Sequence, residues 1–232
     1  MILIVVRPQP GCAATVEAAR EAGLDAHGFP LFEVRPCDWQ LPQADAFDAL
    51  LVGSANALRH GGAALNALKG RPAYAVGETT ARASREVGLE VVATGEGGLQ
   101  QVLSRLDPAH RRLLRLTGAA RVALDPPPGV TVIERIVYAS EPVPMLTALA
   151  GLLHEPAVIM LHSAEAARHF RQQCEAHAID IGMHALACIG PRVADAAGAG
   201  WRAVRAATAP SEEALLALCC EMCKEGADGR AC

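Results

Sequence analysis

Aromatic residues are scarce, with two Trp, two Tyr and four Phe in 232 residues. A platform that stacks single-stranded bases needs several aromatic faces, so that class is excluded. Charge of one sign is also lacking: the formal net charge is −4 and the isoelectric point is near 6.1. No basic field therefore draws the chain to nucleic acid or to an acidic membrane surface. No apolar run reaches the length that spans a bilayer. The apolar start, Met1 to Val6, has no charged leader and is cut off by Arg7-Pro8, so it reads as a buried strand rather than a signal peptide. A cytoplasmic protein is expected. Gly-x-Ser-x-Gly, the phosphate-binding P-loop, Gly-x-Gly-x-x-Gly and His-Glu-x-x-His are all missing. The eight histidines show no ligand spacing, so neither a metal nor a cofactor is called for.

What the chain has in abundance is small apolar residues. Hydrophobic residues make up 51% and alanine alone supplies 46 positions, enough for one large or two smaller cores. The eight cysteines read as reduced thiols of an intracellular protein. Cys220 and Cys223, with Cys219 beside them and Cys232 further on, could suggest a metal knuckle. However, Leu215, Leu218, Cys219 and Met222 recur at helical spacing, which favours helix packing.

Short apolar runs alternate with Ala-rich helical stretches. The runs are 2–6, 26–34, 49–52, 72–76, 90–93, 113–116, 131–138, 157–161, 185–189 and 202–206. Helices are expected at 12–22, from Ser54 to Leu68, 79–87, 97–106, 145–153, 163–177, 192–199 and from Ser211 onward. Such alternation, with strands apolar on both faces, predicts parallel α/β sheets covered on both sides. About ten strands fit two sheets better than one.

An internal repeat points the same way. Leu50 to His60 resembles Ile159 to His169, and Tyr74 to Ala81 resembles Ala187 to Ala194. Both matches fall where a strand hands over to a helix. These junctions hold the candidate site: Arg7-Pro8, Ser54-Ala55-Asn56, Gly77 with Thr79 and Thr80, Thr117-Gly118, Ser163-Ala164, and Gly190-Pro191-Arg192. Open α/β sheets bind ligands outside the carboxyl ends of their strands, and helix N-termini present free N–H groups to anions. Ser54, Thr79 and Ser163 also read as plain helix caps, a role compatible with binding.

In this order the junctions resemble the uroporphyrinogen-III synthase family. The matching stretches are Val6-Arg7-Pro8, Phe47 to Leu51 leading to Ser54-Ala55-Asn56-Ala57, Ala75 to Ala81, Leu114 to Gly118, Val137-Tyr138, Ser163 and Ile189-Gly190-Pro191. The resemblance implies two flavodoxin-like domains in which the chain crosses over and returns. One would hold residues 1–35 and 140–232 and the other residues 36–139, joined by a two-stranded linker. It implies a cofactor-independent lyase that cyclises the linear tetrapyrrole hydroxymethylbilane to uroporphyrinogen III, through a spiro intermediate, with inversion of ring D and loss of water. The substrate would come from hydroxymethylbilane synthase, and a monomer is expected.

Under that resemblance Tyr138 would protonate the leaving hydroxyl. Substrate carboxylates would meet Arg7, Pro8, Ser54, Ala55, Asn56, Gly77, Thr79, Thr80, Gly118, Ser163, Ala164, Gly190 and Arg192. Arg59 and Arg168, one turn into their helices, are weaker candidates. Two departures stand out. Arg192-Val193 replaces a frequent Thr-Thr, and Asp125-Pro126-Pro127-Pro128-Gly129 interrupts the usual helix before the Tyr138 strand. Two other readings stay open: a non-catalytic two-domain binding protein for a small anionic ligand, and an FMN protein, which the shortage of aromatics disfavours.

Overall fold

The structure is a computed structural model and describes residues 1–228; Cys232 lies outside the described residues. Two compact units are present: Met1–Glu33 together with the chain from Glu141 onward, and Val34–Ser140. Each is an α/β layer structure built on its own sheet.

The first unit holds β1 (Ile2–Val5), α1 (Gly11–Glu21), β2 (Ala26–Gly28), α5 (Thr147–Leu152), β9 (Ala157–Leu161), α6 (Ala164–Ala176), β10 (Ala185–Cys188), α7 (Pro191–Ala197), β11 (Ala203–Ala206) and α8 (Glu212–Asp228). Its strands lie in the order β11-β10-β9-β1-β2, and every pairing is parallel. Successive side chains of a strand point to opposite faces, and both faces here are apolar. Ile4, Ile159 and Leu161 pack with Phe170 and Leu149 under α5 to α7. Leu3, Val5, Val158 and Met160 pack with Val16, Leu215, Cys219 and Met222 under α1 and α8. The cysteines at helical spacing are thus core residues of α8. Burial pushes the Cys219 thiol well above its usual range and Cys223 up to about 11.

The second unit holds β4 (Ala49–Val52), α2 (Ala55–Arg59), β5 (Pro72–Val76), α3 (Glu78–Glu86), β6 (Glu90–Gly95), α4 (Leu99–Leu103) and β7 (Arg112–Gly118). The long strand β8 (Thr131–Pro142) and the short β3 (Phe32–Pro36) complete its sheet, ordered β3-β8-β7-β4-β5-β6. The pairs β4·β5, β4·β7, β5·β6 and β7·β8 are parallel. One face packs Leu50, Val52, Leu114 and Val137 against α2 and α3; the other packs Leu51, Tyr74 and Leu113 against α4.

Three expectations need correction. The single run 26–34 is two strands in different sheets, because Pro30 lacks an N–H for a ladder and the chain turns at Phe29 to Leu31. The helix from Ser54 to Leu68 stops at Arg59; Gly61 and Gly62, the latter at φ +67°, break it before a 3₁₀ turn at Ala63–Leu68. The stretch 97–106 shortens to Leu99–Leu103 because Gly97 and Gly98 sit at φ +81° and +117°, outside the helical region. No helix forms between β7 and β8, as the proline run there predicts. Among the described residues no helix is long and apolar enough to cross a membrane.

Candidate functional site

Each sheet reverses its strand order once. In the first unit β1 leads outward to β2 on one side, while β9, β10 and β11 follow on the other, so the reversal falls between β1 and β9. Numbered within the unit this is the order 2-1-3-4-5 of the flavodoxin type. In the second unit, leaving aside β3 at the edge, β4, β5 and β6 run one way and β7 and β8 the other; numbered from β4 these five strands give 3-2-1-4-5, with the reversal between β4 and β7. The flavodoxin order expected of both units therefore describes the first only. Ligands of open α/β sheets sit at the carboxyl end of such a reversal. The residues found there are Arg7, His162 and Ser163 in one unit, and Gly53, Ser54, Thr117 and Gly118 in the other.

At the first reversal, side chains from three segments converge on one carboxylate of α8. Arg7 Nη1 donates to Glu212 Oε2 at 2.8 Å and to Thr15 Oγ1 at 3.2 Å. The Thr15 hydroxyl donates to the other Glu212 oxygen. His162 Nε2 lies 3.0 Å from Glu212 Oε2. Burial pushes the Glu212 carboxyl up, but the hydrogen bonds from His162 and Thr15 and the charges of His162 and Arg7 outweigh it, holding it at about 2. The guanidinium of Arg7 lies over Gly11, where an added Cβ would come within 2.6 Å of Nε. Glu212 and His162 were not among the sequence-predicted site residues. Glu212 belongs to no recognisable motif and is 205 positions from Arg7; His162 falls within the repeat, where its counterpart is Gly53. Next to His162, Ser163 caps α6 by accepting from Ala166 N at 3.1 Å. The N–H groups of Ala164 and Glu165 at the start of that helix have no intrahelical acceptor.

At the second reversal Ser54 caps α2, accepting from Asn56 N at 3.3 Å. The Asn56 N–H is consumed by this cap, so Ala55 is the residue of the trio left to offer a free one. Gly77 adopts φ +74° and opens α3, with Glu78 and Thr79 in its first turn. Thr79 is exposed, but Thr80 is buried and its N–H donates to the Gly77 carbonyl. Of the two threonines, Thr79 thus has the exposed side chain and Thr80 the buried one. Gly118 lies opposite Tyr138 on β8, and an added Cβ at Gly118 would meet the Tyr138 ring at 2.7 Å. Tyr138 is half-buried, its hydroxyl has no protein partner among the described residues, and its ring faces the His60 imidazole at 6.3 Å. Burial, and then the neighbouring Arg59 charge, push the His60 pKa down, so that ring is neutral at pH 7.

Below this edge a cavity of about 310 Å³ is lined by Gly53, Val76, Gly97, Gly98, Leu99 and Arg115 among others. Arg115 points into the sheet face, and its side chain is only 6% exposed. It pairs with Glu134, its register partner on β8, at 2.6 Å and donates to the Val122 carbonyl at 2.9 Å. Arg121 binds the other oxygen of Glu134 at 2.8 Å.

The remaining expected residues are more dispersed. Pro8 accepts from Cys12 N as α1 begins. Gly190 and Pro191 open α7, with Arg192 exposed. Arg59 is exposed and bonds Asn56, and Arg168 is exposed on α6.

Comparison with known proteins bears on this arrangement. The model of the family described as uroporphyrinogen-III synthase HemD matches residues 13–217. No curated protein sequence matches the chain. Among solved structures, the uroporphyrinogen-III synthetase of Helicobacter pylori 26695 aligns with a TM-score of 0.64 at 17% identity, covering 96% of this chain and 100% of that one. A mutant uroporphyrinogen III synthase of the extremely thermophilic bacterium Thermus thermophilus aligns with a TM-score of 0.51 at 18% identity, covering 97% and 100%. At these identities the likeness concerns the α/β fold with parallel sheets; the family rests on the family model.

Proposed function

Since the chain belongs to the uroporphyrinogen-III synthase family, we propose that the two strand-order reversals carry the groups that bind and fold its substrate. The activity is the cyclisation of hydroxymethylbilane to uroporphyrinogen III with inversion of ring D and loss of water. The observation supporting the site reading is that β1/β9 and β4/β7, the two places where an open sheet offers a crevice, lead into Arg7 and Ser163 and into Ser54 and Gly118, four of the residues that the family resemblance selects. The finer architecture, two interleaved domains joined through β3 and β8, belongs to the same reading. So does a monomer in the cytoplasm that takes its substrate from hydroxymethylbilane synthase.

The linear tetrapyrrole is a polycarboxylate. Its carboxylates meet the free N–H groups of Ala55, Glu78, Thr79, Ala164 and Glu165, with Ser54, Gly77, Ser163 and Gly190 shaping those turns. Arg7 adds a cation at the first reversal, and Arg192 an exposed one at the start of α7. The unaided substrate closes without inversion to the type I isomer, so the enzyme has to choose between two cyclisations. A hundredfold preference needs only about 2.7 kcal/mol between the barriers. Two charge-assisted hydrogen bonds of roughly 1.5–3 kcal/mol each suffice if they form in the inverting transition state.

Loss of the hydroxyl requires a proton. Tyr138 supplies it: the phenol is half-buried, has no hydrogen-bond partner among the described residues, and its ring lies against Gly118. A positioned acid accelerates such a step by about 10²–10⁴-fold. Loss of water leaves an electrophilic methylene on ring A; the substituted α carbon of ring D bonds to it, giving the spiro intermediate, and the bond from that carbon to its former bridge then breaks. The released bridge carbon bonds to the free α carbon of ring D, whose proton is lost and restores the phenol, so the net change is loss of one water with no electron gained or lost.

The test is a coupled assay in which hydroxymethylbilane is supplied, the products are oxidised, and isomers I and III are separated. Type III as the main product is expected. Type I alone at stoichiometric enzyme would overturn the assignment.

A further inference from the structure

We infer that Glu212 is a positioning residue for substrate binding, acting through Arg7 at the β1/β9 reversal. The inference rests on the reading above in which Arg7 meets a substrate carboxylate.

The geometry is directional. Among the described residues, only Nη1 of the three guanidinium nitrogens of Arg7 has protein acceptors, namely Glu212 Oε2 and Thr15 Oγ1. Nε and Nη2 have none among the described residues, and they lie over the Cα of Gly11, where a Cβ would come within 2.6 and 3.0 Å. One edge of the planar fork is therefore clamped and the other is left with its donors unspent. A guanidinium presents fixed pairs of donors to a carboxylate, so fixing one edge fixes the direction in which the other can bind. Without a clamp, a long Arg side chain loses rotamer freedom on binding, and affinity suffers accordingly.

The clamp itself is tied down. Glu212 is fixed by Thr15 on α1 and by His162 at the end of β9, besides Arg7 at the end of β1. It thus joins the strand ends on both sides of the reversal to the start of α8. Its carboxylate is ionised throughout the physiological range, since the donors around it hold it at about 2. His162 has a further consequence: it immediately precedes Ser163, so the same contact sets the entry to α6, where the free N–H groups of that helix begin.

The role predicts loss of binding rather than of chemistry, because a contact made equally in ground and transition states shows in KM. Glu212→Gln keeps the volume and removes the charge. KM for hydroxymethylbilane should rise about tenfold, with kcat within threefold of wild type, and Glu212→Asp should recover part of the loss. Gly11→Ala provides an independent route. It leaves Glu212 in place but pushes the guanidinium aside, and should raise KM similarly even if the Glu212 variants fold poorly. Arg7→Ala on the Glu212→Gln background should cost no more than Arg7→Ala alone. An unchanged or lower KM in folded Glu212→Gln, or a fall confined to kcat or to melting temperature, overturns the inference. If Arg7→Ala raises KM while Glu212→Gln and Gly11→Ala do not, this inference fails and the site reading stands. If Arg7→Ala itself leaves KM unchanged, both fall.

Discussion

The aromatic ring of Tyr138 lies on the Cα of Gly118, with no room between them for a methyl group. They are register partners on β8 and β7, at a point where the pairing shifts by one residue. The irregularity and the missing side chain together let the ring fold back over the strand end, at the carboxyl edge of the sheet. Gly118→Ala therefore should move the ring. Its Cβ would stand 2.7 Å from two ring carbons, so the ring or the strand must shift. Turnover should fall at least tenfold, while the change in melting temperature stays small because the site is at a sheet end. Wild-type turnover in this variant would show that ring placement is irrelevant to the reaction.

Tyr138→Phe asks a narrower question, since it retains the ring and its packing and removes only the proton donor. Turnover should drop tenfold to a hundredfold, at the low end of general-acid effects, because water can partly replace the phenol. The product should remain mainly type III. A switch to type I, read from the isomer separation, would instead assign Tyr138 to placing ring D.

Asp48 at the entry to β4 contributes to the acid dependence of stability. It accepts from the backbone N–H groups of Arg111 and Arg112 and from the Arg112 guanidinium at 2.6 Å. The Arg112 side chain is the largest influence; with the backbone bonds it outweighs burial and lowers the Asp48 pKa from 3.8 to about 2. A carboxyl depressed on folding contributes stability that is complete above its unfolded pKa and lost as pH falls through the folded value. The window here runs from about pH 4 down to about pH 2. Asp48→Asn should lower the unfolding free energy at pH 7 by about 1–2 kcal/mol, after allowance for solvent screening. Denaturant titrations at pH 7 and pH 3 should show the difference between wild type and variant shrinking at the lower pH. A constant difference would assign the loss to packing.

Arg115 and Glu134 form an ion pair within the sheet face of the second unit. Removing one partner leaves a desolvated charge, which costs about 3–5 kcal/mol, whereas replacing both with apolar residues is often neutral. Glu134→Gln, which strands the Arg115 charge, should destabilise by about 3 kcal/mol. The pair Arg115→Met with Glu134→Leu should lie within about 1 kcal/mol of wild type. Urea unfolding midpoints check both; equal losses in the two variants would mean that the pair is more than a local compensation.

Much of this architecture is legible in the residues themselves. Leu50-Leu51-Val52 and Val158 to Leu161 are apolar on both faces because each lies in the middle of a parallel sheet, and their Ser54 and Ser163 caps mark where the helices begin. Local signals of this kind act over a few residues. The division of 26–34 between two sheets is not local: it depends on which distant strands Ala26 and Phe32 meet. The same limit hid Glu212, His162 and the Arg115–Glu134 pair. Each of these is an ordinary polar residue in its own segment, and acquires its role from a partner between 19 and 205 positions away. At the strand-to-helix junction after β5, one step along the helix separates exposed Thr79 from buried Thr80.

The pairing of β1 with β9 also constrains the order in which a nascent chain can fold. Ile2 finds its register partner only when Ala157 has been made, 155 positions later. At about 5–20 residues per second, that delay lasts roughly 8–30 s. Val34–Ser140 is continuous, and emerges from the ribosome in full while the opening β1-α1-β2 segment still lacks its central neighbour. That segment carries an apolar strand whose free edge can pair with other chains in the interval. Brief synthesis pauses beyond residue 140, or loss of a holding chaperone, should therefore lower the yield of folded protein more than equal disturbances placed earlier in translation.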